Sequence, residues 1–162
     1  MSTIDIKTAD LFLPGNYRVD VLRVFMGKDA ATKSFFVVET LVLKSDNPKI
    51  SIGDEREWIC PFEYGSHYNR IKAFVGAGHG FDPKANSITR EMIDHALHWV
   101  NPLENAQLDL RCYYTRQAST GDKILAHSWS PLKNAKVGRL PRRKKNSWIS
   151  KSQRSRASVR NY

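Results

Sequence analysis

Apolar and polar residues alternate with a period of two over several stretches of the chain, as a half-buried strand requires. In Tyr17 to Met26 (YRVDVLRVFM), Tyr17, Val19, Val21 and Phe25 fall on one face and Leu22, Val24 and Met26 on the other. Turn signals bracket this strand, Leu13-Pro14-Gly15-Asn16 before it and Gly27-Lys28-Asp29 after it. Phe35 to Lys44 (FFVVETLVLK) is apolar on both faces, which predicts a central strand or one bent so that each half buries a different face. A shorter strand is expected around Glu57-Trp58-Ile59-Cys60, stopped by Pro61. Two more follow, Gln107 to Thr115 and Lys123 to Trp129, joined by the glycine-containing loop Ala118-Ser119-Thr120-Gly121-Asp122. In the first of this pair Leu108, Leu110, Cys112 and Tyr114 alternate with Asp109, Arg111 and Tyr113.

Between the third and fourth strands the period lengthens. Tyr68, Ile71, Lys72, Phe74 and Val75 fit a short helix, with Ser66 as its N-cap and Gly76 as its stop. Ser87 to Val100 predicts a second helix whose apolar stripe runs Ile88, Met92, Ala96 and then Trp99 or Val100, joined by Ile93 and Leu97. From Pro131 onward periodicity fails, and residues 133–162 read as a flexible tail. The expected fold is mainly β with a helical insertion, in the order β-β-β-α-α-β-β. That order matches a five-stranded OB-like barrel in residues 1–132, a fold used mostly for single strands and oligosaccharides, though other small β-barrels and α+β folds share it.

Charge separates the two parts. Residues 133–162 carry eleven basic residues and no acidic one, whereas the first 132 carry fifteen basic and sixteen acidic residues. The overall formal charge of +10 therefore resides in the tail. Its densest cluster is Arg142-Arg143-Lys144-Lys145, with Trp148 three residues on. Such a run binds phosphates without a fold, through counterion release. Contact with about six phosphates of a single strand would give log K a slope of about −4 against log salt. A solubilising role, an address such as a nuclear-localisation run, an anionic protein or an anionic membrane surface are the alternatives for the tail.

On the body, Tyr17, Trp58, Tyr113 and Trp129 are candidates for stacking on bases, with Arg18, Arg23, Lys72, Arg111 and Arg116 as their cations. Tyr17 and Trp58 also read as core residues, while Tyr113 and Trp129 have polar neighbours. Cys60 and Cys112 read as two small buried apolar residues rather than a metal or disulfide pair. Gly76-Ala77-Gly78-His79-Gly80 lacks the ending of a phosphate-binding loop and reads as a flexible link between helices. His95 and His98 lie three apart beside Asp94, without a metal-binding pattern. No nucleophile has an evident base, so neither an enzymatic activity nor a cofactor is expected. No apolar run is long enough to span a bilayer, and no secretory leader is recognisable at the start.

Several short motifs in consistent order resemble a group of small bacteriophage proteins. They are Gly15-Asn16-Tyr17-Arg18-Val19, Phe35-Phe36-Val37-Val38-Glu39, Leu43-Lys44-Ser45-Asp46-Asn47, Gly53 with Trp58, Asn69-Arg70-Ile71-Lys72-Ala73-Phe74, Asn101-Pro102-Leu103 and His127-Ser128-Trp129. The resemblance covers roughly residues 10–131. It implies a protein encoded among phage replication or recombination genes, similar to single-stranded-DNA-binding proteins with an OB-like barrel. Such binders often end in an acidic tail that recruits replication proteins; this chain ends in the opposite charge. The expectation is a non-enzymatic phage protein that binds single-stranded DNA in the cytoplasm of a bacterial host. Homo-oligomers and other phage proteins are further partners consistent with it, and no membrane is expected. The alternative is a virion-associated structural protein whose barrel contacts protein while its tail neutralises DNA.

Overall fold

A computed structural model describes residues 2–63, 65–81 and 88–132. The elements run β1 (Ser2–Thr3), β2 (Gly15–Lys28), β3 (Ser34–Ser45), β4 (Glu55–Pro61), α1 (Ser66–Gly78), α2 (Arg90–Ala96), β5 (Gln107–Arg116) and β6 (Lys123–Pro131). The principal strands form one sheet in the order β4-β3-β2-β5-β6, and each neighbouring pair is antiparallel. The short β1, absent from the sequence-based expectation, adds in parallel to Gly27 and Lys28 of β2. The predicted tail, with Arg142, Arg143, Lys144 and Lys145, lies outside the described residues, as do Ser87 and residues 82–86.

Two register shifts decide which face each side chain takes. Arg18 pairs with Lys44 and Val19 with Val42, so Leu43 is an extra residue on β3. Val21 pairs with Thr40 and Arg23 with Glu39, so Leu22 is an extra residue on β2. The second bulge reverses the alternation expected for the end of β2. Val24, not Phe25, joins Val19 and Val21 in the core. Phe25 turns outward, where the Arg23 guanidinium lies 4.2 Å from its ring centroid.

The inner face of the sheet packs against α1. Phe36, Trp58, Phe74 and Trp129 meet as a cluster, with Phe74 and Trp129 ring centroids 5.0 Å apart and Trp58 and Trp129 5.5 Å apart. Trp58 belongs to β4 and Trp129 to β6, the two ends of the sheet, so α1 and these rings draw the ends toward each other. Among the described residues no ladder joins β4 to β6.

The start of the chain works as a strap. It is tied to β2 by β1 and by the Ile4 N–H donating to the Lys28 carbonyl at 2.9 Å, and to the free edge of β4 by the Glu57 N–H donating to the Asp10 carbonyl at 2.8 Å. The Ile4 side chain sits over Gly27, leaving only 2.7 Å for a Cβ there. Phe35 and Val37, on the outward face of β3, are nevertheless buried. We attribute this to the strap crossing that side. The double-sided apolar pattern of β3 thus reflects an interior strand with a core beneath it and a strap above.

The helices depart from expectation at their ends. Gly65, at φ 97°, precedes α1, and Ser66 is its first helical residue rather than its cap. Of the glycines expected to form a link, Gly76 and Gly78 are inside the helix, and Gly80, at φ 76°, follows its end. A Cβ at Gly78 would come within 2.8 Å of Leu103, and one at Gly76 within 3.3 Å of Ile88, so both allow close packing. Thr89 caps α2 by accepting from the Met92 N–H at 3.3 Å. That helix stops at Ala96, so the predicted stripe ends early, and Trp99 and Val100 face solvent, with Trp99 88% exposed. No described helix is long and apolar enough to cross a membrane.

Candidate nucleic-acid interface

The outward face of β3, β2, β5 and β6 carries a row of polar side chains set by register. Lys44, Arg18, Asp109 and Ser130 lie side by side across four strands, and Asn16, Arg111 and Ser128 form a second row beside them. Together with Tyr17 and Leu110, whose side chains are buried, they line an open groove of about 470 Å³. The bulge at Leu43 brings Lys44 onto this face beside Arg18.

Charge in the groove is unevenly free. The Arg18 guanidinium makes a two-pronged ion pair with Asp109, Nε to Oδ1 at 2.9 Å and Nη2 to Oδ2 at 3.4 Å. Asp46 accepts from both the backbone N–H and the side-chain amide of Asn16 at 2.7 Å, which holds its carboxyl below the usual range. Lys44 and Arg111 have no ion pair among the described residues. The Arg111 guanidinium lies 5.2 Å from the Tyr113 ring centroid, and Tyr113 is 39% exposed. A cation beside an accessible ring, with two more cations on the same face, suits a base stacked on the ring and phosphates tracked by the charges.

Beyond Cys112, β5 has no partner in β2, because the ladder between them ends at Gly15. The rest of the β5–β6 hairpin is a two-stranded ribbon. On its other face Tyr114 is 54% exposed, with the Lys123 ammonium 4.2 Å from its ring centroid.

The expected site residues are therefore divided. Arg18 and Arg111 line the groove; Tyr113, beside Arg111 on the same face of β5, lies just past that lining, and Arg116 lies farther along the same ribbon. Trp58 and Trp129 do not belong to the interface: they are 3% and 2% exposed, their faces taken by other rings. The register Leu110 to Trp129 sends Trp129 inward, while Ser128 and Ser130 point to the groove. Tyr17 is also core, with its ring 5.1 Å from Phe12 and its hydroxyl donating to the Leu13 carbonyl at 2.7 Å. Arg23 is occupied by Glu39 through two hydrogen bonds of 2.9 and 3.0 Å. Lys72 lies on α1, over the Tyr68 ring, away from the groove. Sequence reasoning missed Asn16, Lys44, Ser128 and Ser130. It also grouped Tyr114 by alternation with Leu108, Leu110 and Cys112, although Tyr114 is 54% exposed.

Burial pushes the Cys60 thiol up to about 11 and the Cys112 thiol to about 12, so neither offers a thiolate at neutral pH. Both behave as the small apolar residues expected. No group of side chains suited to a metal ion occurs among the described residues. No protein-family model matches the chain, and no curated protein matches it.

Proposed function

We propose that this protein binds single-stranded DNA without catalysing a reaction, through the groove on β2, β5 and β6 together with the basic C-terminal segment. The observation that carries the reading is the exposed Arg111–Tyr113 pair on the same face of the sheet as Lys44 and Arg18. The strand order supports an OB-like barrel: β4-β3-β2-β5-β6 becomes a five-stranded Greek-key barrel when its end strands meet. Trp58 and Trp129, in contact from those two ends, mark the seam. In OB folds the second and third barrel strands carry the ligand face. Here their outward side holds the buried Phe35 and Val37, so the proposed binding face is shifted to the first, fourth and fifth strands, with Lys44 near the end of the second. Ser130 lines the groove, and the run of eleven cations begins three residues later. Groove and basic segment therefore serve one ligand, the segment contributing affinity and on-rate and the ring contributing selectivity. A role in phage replication or recombination fits the family resemblance.

A virion-associated role is the second reading, favoured by the exposed Trp99 and Val100, which suit a protein contact. Deleting residues 133–162 separates the two. Under the proposed function the truncated protein still binds a labelled single strand, more weakly, with a salt slope shallower by about 4. It also prefers that strand to duplex. Complete loss of binding together with failed particle assembly supports the virion role instead.

A further inference from the structure

Tyr113 and Tyr114 are consecutive in β5, so their rings project from opposite faces of the ribbon formed by residues 113–116 and 123–126. Each has its own cations. Tyr113 has Arg111 and lies on the face continuous with the groove. Tyr114 has Lys123, and alternation places Arg116 with it on the opposite face. Asp122, at the turn, is the ribbon's single acid. The arm extends about four residues past the end of the β2 ladder, roughly 13 Å at strand rise. A strand lying straight along the groove reaches Tyr113 and leaves Tyr114 unused.

We propose that this ribbon is a two-sided wedge that receives separated strands at a fork, one on each face. Tyr113 stacks on a base of the strand held in the groove. Tyr114 stacks on a base of the opposing strand, whose phosphates meet Arg116 and Lys123. The ligand is a junction between duplex and single strands, and no bond is made or broken. This inference rests on the reading of the groove as a single-strand site.

The test uses the full-length protein and a forked oligonucleotide with 2-aminopurine next to the junction in one arm or the other. Both probes change fluorescence on binding. Tyr113→Ala abolishes one response and Tyr114→Ala the other, and the Phe variants at either position restore it. Tyr114→Ala weakens fork binding roughly tenfold while leaving an unpaired single strand bound as before. Both rings are exposed, so these variants fold as the parent does. If fork and single strand bind equally and Tyr114→Ala changes neither, the wedge is overturned while the groove reading stands. If Tyr113→Ala also changes nothing and binding responds to salt alone, the groove reading fails with it.

Discussion

Arg18 and Asp109 face each other across the β2–β5 ladder and close a two-pronged ion pair, 2.9 Å at its shorter contact, in the middle of the groove. The pair spends one of the three groove cations and places an anion where phosphates would pass. Asp109→Asn frees the guanidinium and removes that anion. Affinity for a single strand should therefore rise several-fold at low salt, with a slope steeper by about 0.7 for the added phosphate contact. Fluorescence anisotropy against salt measures both. Unchanged affinity would mean that the ligand does not pass over this residue.

Trp58 and Trp129 should report on the core, not the ligand. Trp129→Ala empties space against Phe74 and Trp58 and should cost about 3–5 kcal/mol in urea unfolding. Trp129→Phe costs less, partly because the buried indole N–H has no hydrogen-bond partner among the described residues. Emission from the two buried indoles should stay constant when DNA binds.

His127 sets a pH dependence. Burial, reinforced by the Arg70 charge, pushes its imidazole down to about 4, against about 6.5 for a free histidine. Between those values the unfolded chain takes up a proton that the folded chain refuses. Stability should fall as pH drops from about 6.5 toward 4, by at most about 3 kcal/mol from this group. His127→Gln should flatten that part of the curve, measured by urea midpoints at successive pH values.

The strap predicts a coupling between distant positions. Gly27→Val thrusts a side chain into Ile4, which lies 2.7 Å from the site of a Cβ. It should loosen the strap, expose Phe35 and Val37, and raise binding of a hydrophobic dye. Pairing it with Ile4→Ala should recover part of the lost stability, a non-additivity that a double-mutant cycle detects.

Strand positions were legible because alternation and turn residues such as Pro14-Gly15 are local signals. What alternation cannot show is where a strand gains an extra residue. The bulges at Leu22 and Leu43 exist only in the pairing of β2 with β3, yet they turn Phe25 outward and bring Lys44 to the groove. Arg111 and Tyr113 were legible as a pair because they are two apart on one strand. The neutralisation of Arg18 was not, since its partner lies 91 residues away. Trp129 was misjudged from its serine neighbours, which occupy the opposite face; its own face holds His127 and Pro131. Tyr114 keeps the parity of the core residues but lies past the point where the β2 ladder ends.

On the proposed reading the Arg111–Tyr113 face, rather than charge alone, selects single strands. Competition between single-stranded and duplex oligonucleotides of equal length, for the full-length protein and Tyr113→Ala, tests it most directly. The parent should prefer the single strand by roughly five- to a hundredfold, the worth of a stacked base, and Tyr113→Ala should lose this preference while keeping the salt slope. Equal preference in parent and variant would contradict it.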